Sequence, residues 1–145
     1  MKSIIAILFV SLCSLFVTGQ RKIAEDDPQW RQQTVKRAFD EVSAGMYYSW
    51  SEKYLARLGD SAAPEIMSLL AAKPFTKKDA ETALSLVKMS FANPSLIRRG
   101  PSRTPTNTLV LLDYLDKHVI DADTKSKINS AREQLQAQPL GTPRG

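Results

Sequence analysis

Apolar residues recur every three or four positions along most of the chain after residue 27, which is the spacing of one face of an α-helix. The first helix is predicted to begin at Asp27-Pro28, because aspartate is a good N-cap and proline suits the first helical position. It is predicted to end near Gly45. Its apolar face consists of Val35, Ala38, Phe39 and Val42.

A second helix is predicted to end at Gly59, since glycine often follows the last residue of a helix. Asp60 and Ser61 are expected to cap a third helix, with Pro64 inside its first turn. The stripe of the second helix is Tyr47, Trp50, Tyr54 and Leu58, and that of the third is Ala63, Ile66, Met67 and Leu70.

Thr76 and Asp79 resemble a capping box at the start of a fourth helix, which Asn93-Pro94 is expected to stop. Thr104 or Asn107 is expected to cap a fifth helix, and Asp121 or Asp123 a sixth. The apolar stripes are Ala80, Ala83, Leu84, Val87 and Phe91, then Leu109, Leu112, Leu115 and Val119, then Ile128, Ala131 and Leu135.

No segment alternates with the period of two that a strand requires. The predicted fold class is therefore all-α, with six or seven mostly short helices. Short antiparallel helices joined by tight turns are compatible with a compact helical bundle or with a stacked array of helix pairs. The sequence pattern by itself leaves both arrangements open.

The first nineteen residues are predicted to be a secretory signal peptide. Lys2 gives a positive start, residues 4–17 form an uncharged run of 14, and Val17-Thr18-Gly19 offers a cleavage site. The alternative is a membrane anchor, but a spanning helix needs about 20 apolar residues. We expect export to the periplasm or beyond, with no stable membrane anchor after cleavage. Cys13, the single cysteine, would be removed with this segment.

Residues 20–27 are predicted to be a flexible lead, residues 28–138 the helical domain, and residues 139–145 a disordered tail rich in proline and glycine. The whole chain of 145 residues is 43% hydrophobic and carries a net charge of +5. Such a composition is typical of one globular domain and excludes a disulfide scaffold. The modest charge gives no reason to expect a nucleic-acid partner.

The run from Tyr54 to Leu70, which contains LARLGDSAAPEIMSLL, resembles a HEAT-type (armadillo-type) helical repeat. It would comprise a first helix, a Gly-Asp turn and a second helix with proline near its start. The stretch around Asn93-Pro94 is similar to the continuation in uncharacterised bacterial exported proteins with HEAT-like folds. The resemblance implies two or three irregular helix pairs in a small right-handed α-α superhelix. It also implies a binding or scaffolding protein, and it brings no catalytic residues.

The sequence predicts no catalytic, cofactor-binding or metal-binding site. His118 is the only histidine, and no strained nucleophile turn accompanies it. We therefore expect it to serve a helix C-terminus, where an imidazolium is favoured. The run that starts at Asp121 opens like a calcium loop but lacks its glycine and its bidentate glutamate, so its aspartates are interpreted as helix caps.

Two features remain as candidates for binding. One is an aromatic cluster of Trp30, Tyr47, Tyr48, Trp50 and Tyr54, of which Tyr48 lies off the stripe and is expected to be the most exposed. The other is a basic loop with Arg98, Arg99 and Arg103, whose guanidinium groups could hold a carboxylate or phosphate. Core packing of the aromatic residues and a solvated loop are the alternatives.

The sequence thus predicts an exported, non-enzymatic scaffold or adaptor that binds a protein or peptide partner. The candidate partner-binding residues are Arg98, Arg99, Arg103 and Tyr48. The alternative is a small exported enzyme or ligand-binding protein that uses the aromatic cluster and the Arg98–Arg103 loop.

Overall fold

A computed structural model describes residues 27–91 and 105–137 of the chain. The predicted signal peptide, the predicted tail and the loop with Arg98, Arg99 and Arg103 lie outside the described residues, as does the predicted lead apart from Asp27. All regular structure within the described ranges is helical, which confirms the all-α prediction.

Six α-helices and one short 3₁₀ turn, Gly59–Ser61, make up the described residues. The helices are α1 Pro28–Ser43, α2 Ser49–Leu58, α3 Ala62–Ala71, α4 Lys77–Phe91, α5 Thr106–His118 and α6 Ala122–Ala137.

The predicted caps of α1 and α4 and the predicted stop after α2 are confirmed. Asp27 caps α1, because its Oδ1 accepts a hydrogen bond of 2.9 Å from the Gln29 N–H. The capping box forms at α4: the Thr76 N–H donates to Asp79 Oδ2 at 3.0 Å, and the Asp79 N–H donates to Thr76 Oγ1 at 3.2 Å. Gly59 ends α2 with φ of +51°, a value that L side chains rarely adopt.

Of the two aspartates proposed to start the last helix, Asp121 is the cap. Its Oδ2 accepts hydrogen bonds from the Thr124 N–H at 2.9 Å and the Thr124 hydroxyl at 2.7 Å. Asp123 lies inside the first turn and pairs with Lys127 at 2.6 Å. The interpretation of this run as a helix start is therefore confirmed.

The helices pack in two layers. Helix α3 lies between α1 and α5, and helix α4 lies between α2 and α6. The two layers also touch, through α1 with α2 and α4 and through α5 with α6. Alternate helices along the chain are thus neighbours within a layer, while α2 and α3, which carry the HEAT-type resemblance, have their main contacts with other helices. The resemblance itself stays a prediction.

Helix α4 is the most enclosed element. Nine of its fifteen residues are buried, including the polar Asp79, Thr82 and Ser90. The sequence predicted a single apolar stripe on this helix, but α1, α2 and α6 all pack around it and cover more than one face. The Ser90 hydroxyl donates to the Leu86 carbonyl at 2.9 Å, so its burial leaves no unpaired donor.

The start of α5 departs from the prediction. Its N-cap residue is Pro105, whose side chain makes no capping hydrogen bond, and Asn107 lies inside the first turn and is not the cap. Thr104, the other predicted cap, lies outside the described residues. Asp60 and Ser61 were expected to cap α3. Ser61 is the N-cap residue of α3 but makes no side-chain capping hydrogen bond. Asp60 instead accepts hydrogen bonds from the N–H groups of Asn107 at 3.1 Å and Thr108 at 2.8 Å. The sequence prediction was wrong here because the true partner is 48 residues away along the chain.

None of the helices in the described ranges combines the length and the apolar character needed to cross a membrane.

Candidate partner-binding site

The helical body is electrically neutral. The described residues contain thirteen Lys and Arg side chains and thirteen Asp and Glu side chains, so the net charge of +5 resides entirely in the rest of the chain. Arg98, Arg99 and Arg103 account for three of these charges and lie outside the described residues. Any recognition by the body itself must therefore rest on local features rather than on a general basic surface.

Tyr48, the remaining predicted site residue, lies in a short connection between α1 and α2. We name Met46, Tyr47 and Tyr48 the aromatic tip. Their side chains are 43%, 65% and 45% exposed. The tip belongs to a run of ten uncharged residues from Val42 to Ser51, so the largest exposed apolar side chains of this end of the molecule are close together without a charge among them.

The backbone leading into the tip is fixed by a full Schellman motif at the end of α1. The Gly45 N–H donates to the Val42 carbonyl at 3.0 Å, and the Met46 N–H donates to the Glu41 carbonyl at 2.9 Å. Gly45 adopts φ of +77°, as the motif requires. Because these bonds satisfy the last carbonyls of the helix, the position of Met46 is set by the helix itself.

Side-chain hydrogen bonds hold both tyrosines of the tip. The Tyr47 hydroxyl donates to Glu52 Oε2 at 3.0 Å, and the Tyr48 hydroxyl approaches Met46 Sδ at 3.5 Å. The hydrogen bond to the Glu52 carboxylate raises the pKa of Tyr47, with smaller contributions from burial and from the charge of Glu52. The rings are thus presented to solvent in defined orientations.

Tyr47 is more exposed than Tyr48, which the sequence pattern did not predict. The helical stripe included Tyr47, but α2 begins only at Ser49, so Tyr47 precedes the helix and does not share its inner face. The helix boundary, which periodicity locates poorly, decides this outcome.

The other aromatic residues form a half-buried cluster between α1 and α2. The Tyr54 ring packs edge-on against Trp30, with centroids 5.7 Å apart, and against Trp50 at 6.0 Å. Two arginines pack against the rings of this cluster. The guanidinium carbon of Arg37 lies 4.3 Å from the centroid of the Trp50 ring, and the guanidinium carbon of Arg57 lies 5.7 Å from the centroid of the Tyr54 ring. These rings therefore serve packing and also form a cationic–aromatic surface beside the tip.

Glu41 joins α1 to α2 at this surface. Its Oε1 accepts a hydrogen bond of 3.0 Å from Arg37 Nε, and its Oε2 accepts one of 3.1 Å from the Ser51 hydroxyl. Both carboxylate oxygens are thus engaged. The arrangement fixes the Arg37 side chain while its outer end faces solvent.

His118 is the last residue of α5, as expected for a helix-end role. Its ring is exposed, Nδ1 lies 2.8 Å from the Tyr114 carbonyl oxygen, and the ring lies over Tyr114 with centroids 4.1 Å apart. Phe75 completes this small stack at 5.6 Å from the imidazole. The stack ties the connection before α4 to the end of α5.

The buried carboxylates of the described residues are Asp60 and Asp79, and each is bound at a helix start. Burial raises the pKa of Asp79, but hydrogen bonds from Lys73 and Thr76 outweigh it, so this pKa is lowered overall. Within the described ranges no buried side-chain nitrogen or oxygen lacks a hydrogen-bond partner, and no group of three His, Cys, Asp or Glu side chains is placed to hold a metal ion.

Two residues of this surface, Arg37 and Met46, were not predicted from the sequence. Arg37 looked like an ordinary polar position of α1, and Met46 was part of no predicted stripe. A signal was nevertheless present: residues 42–51 are uncharged, contain Met46, Tyr47, Tyr48 and Trp50, and include the helix end predicted near Gly45.

Comparison with protein-family models, with curated proteins and with solved structures found no match to this chain.

Proposed function

We propose that this chain is an exported, non-enzymatic interaction module that binds a protein or peptide partner through the aromatic tip. The observation that carries the proposal is the tip itself: three large, uncharged side chains that are at least 43% exposed and are held by a Schellman motif and by tyrosine hydrogen bonds. Tyrosine and tryptophan are enriched among the residues that dominate binding energy at protein interfaces.

Rigid presentation supports this function. A side chain that is already ordered loses less conformational entropy on binding, and about 0.5–1.5 kcal/mol is saved for each side chain that need not be immobilised. The hydrogen bond between Tyr47 and Glu52 and the contact between Tyr48 and Met46 provide such ordering. In a HEAT-like scaffold of the kind proposed, helices mainly present surfaces to partners.

The alternative function, a small exported enzyme or ligand-binding protein, has less support. The rings of Trp30, Trp50 and Tyr54 pack against one another, and the buried carboxylates Asp60 and Asp79 are engaged in helix capping. Its other component, the Arg98–Arg103 loop, lies outside the described residues.

Site-specific cross-linking tests the binding function. A photo-activatable amino acid at position 48 of the chain, expressed in its native host, should give one discrete adduct with a partner protein. The same group at position 133, an exposed site on α6, should not. Tyr47→Ser should reduce the adduct formed from position 48. Absence of a discrete adduct, or equal yields at both positions, would contradict the proposal.

Export is tested separately by fractionation. When the full chain is expressed, the protein should be recovered outside the cytoplasm with Gln20 as its first residue. When a chain without residues 1–19 is expressed, the protein should remain inside the cell. Recovery of the intact amino terminus in the membrane fraction would contradict signal-peptide cleavage.

A further inference from the structure

Arg37 presents a fixed guanidinium group over Trp50, which follows the aromatic tip by two positions in the chain. Its Nε is bound to Glu41 at 3.0 Å, and its guanidinium carbon lies 4.3 Å from the centroid of Trp50. The side chain is nevertheless 67% exposed. Within residues 27–91 and 105–137 its two terminal nitrogens donate no hydrogen bond, so the fork is ordered at one end and available at the other.

Comparison with the preceding residue shows what is special about Arg37. Lys36 pairs with Asp40 at the same four-residue spacing on the same helix, at 2.6 Å. Both of these side chains are more than 60% exposed, and Lys36 contacts no aromatic ring among the described residues. Glu41, by contrast, is only 13% exposed and is also bound by Ser51. Arg37 is therefore held in place by α2, whereas Lys36 is an ordinary surface ion pair.

The charged side chains around the tip indicate which chemical groups a partner needs. The carboxylates that flank the uncharged run, Glu41 and Glu52, already accept hydrogen bonds from Arg37, Ser51 and Tyr47. The terminal nitrogens of Arg37 are thus the outward-facing charged hydrogen-bond donors beside the ring of Trp50. A guanidinium fork matches a carboxylate, to which it can donate two parallel hydrogen bonds.

We infer that the partner segment combines one carboxylate with a neighbouring apolar or aromatic side chain. The carboxylate binds the terminal nitrogens of Arg37, and the apolar group packs against Trp50 and the aromatic tip. This inference rests on the proposed function, because it names the chemistry of the partner at that same site.

Two small probes test the inference on the purified chain. The first is 3-phenylpropanoate, which joins a phenyl ring to a carboxylate, and the second is 3-phenylpropanamide, its uncharged counterpart. In a nitrogen-15 NMR titration, the carboxylate should shift the Trp50 Nε1–H and Arg37 Nε–H signals. The amide should bind about tenfold more weakly, the loss that removal of one charge-assisted contact produces.

Variants then assign the preference to Arg37. Arg37→Ala should abolish the difference between the two probes, and Arg37→Lys should keep only part of it, because an ammonium lacks the fork. Lys36→Ala is the matched control and should leave both titrations unchanged. Far-UV circular dichroism verifies that each variant is folded.

The inference is overturned if the two probes bind equally, if neither binds, or if Arg37→Ala retains the preference for the carboxylate. These outcomes leave the cross-linking result at position 48 unaffected. Loss of that adduct would refute the proposed function, whereas loss of the carboxylate preference alone would refute only the partner chemistry.

Discussion

Asp60 and Thr108 are joined by two hydrogen bonds across 48 residues of chain: both the N–H and the hydroxyl of Thr108 donate to Asp60 Oδ1 at 2.8 Å. Both residues are buried, with 4% and 1% of their surfaces exposed. The carboxylate supplies the N-terminal capping hydrogen bonds that the side chain of Pro105 cannot make. The turn between α2 and α3 thereby fixes where α5 begins.

Substitution of Asp60 should therefore destabilise the whole domain. We expect Asp60→Ala to lower the free energy of unfolding by about 2 kcal/mol, because loss of the cap leaves the buried N–H and hydroxyl groups of Thr108 unpaired. Asp60→Asn retains one acceptor oxygen and should cost less. Urea unfolding measures both. Asp40→Ala removes an exposed aspartate and should cost under about 0.5 kcal/mol; an equal loss for Asp60→Ala would contradict the role of the cap.

Gly59→Ala should be destabilising although space is available. No atom lies within 4 Å of an added Cβ, so a clash is not the cause. The cost arises from φ of +51° with ψ of −126°, and it should be about 1–2 kcal/mol. Gly45→Ala provides a comparison at φ of +77°, also with open space. A melting temperature for Gly59→Ala equal to that of the wild type would contradict the strain argument.

Acid should weaken the molecule through its helix caps. Hydrogen bonds from Thr124, followed by that from Lys77, lower the pKa of Asp121 from 3.8 to about 2. A carboxyl whose folded pKa is lowered stabilises the protein above its unfolded pKa, and this stabilisation is lost as pH falls through the folded value.

The melting temperature should consequently fall between pH 3.8 and about 2, the interval over which the unfolded chain binds a proton at Asp121 while the folded protein keeps this carboxylate ionised. Asp79, whose pKa is also lowered, contributes in the same direction. Asp121→Asn should be less stable at neutral pH and show a shallower acid dependence. Parallel acid profiles for this variant and the wild type would contradict the assignment.

A charge in the core should unfold the domain, whereas one on the surface should not. Leu70 is 1% exposed and packs in the central cluster, so Leu70→Asp should cost several kcal/mol of the roughly 5–15 available to a small domain. Leu58→Asp, at 6% exposure, should act similarly. Ile120, at 97% exposure, is the control, and Ile120→Asp should melt like the wild type. Circular dichroism melting curves decide between these outcomes.

Most of the fold could be predicted because its signals are local. The caps at Asp27 and at Thr76 with Asp79 involve residues two or three positions apart, and the stops at Gly45 and Gly59 follow from backbone conformation. Such interactions form in any chain that adopts the helix, so periodicity and capping rules find them.

The contacts that could not be predicted join residues that are far apart in the sequence. Asp60 looked like the cap of its own helix, since nothing near it in sequence indicates α5. The fixed position of Arg37 likewise depends on Trp50 and on Glu41, which Ser51 braces from α2. Local rules identify residue types that can make these contacts, but only the packing of α1 against α2 selects the partners.

The cap supplied by Asp60 also limits how this architecture can be shortened. In many arrays of helix pairs, terminal units can be removed or exchanged because each unit contacts only its neighbours. A chain cut after α4 would leave the Asp60 carboxylate without the three donors supplied by Asn107 and Thr108. The cap thus couples the turn between α2 and α3 to α5, and a chain that ends after α4 should be less stable than the whole domain.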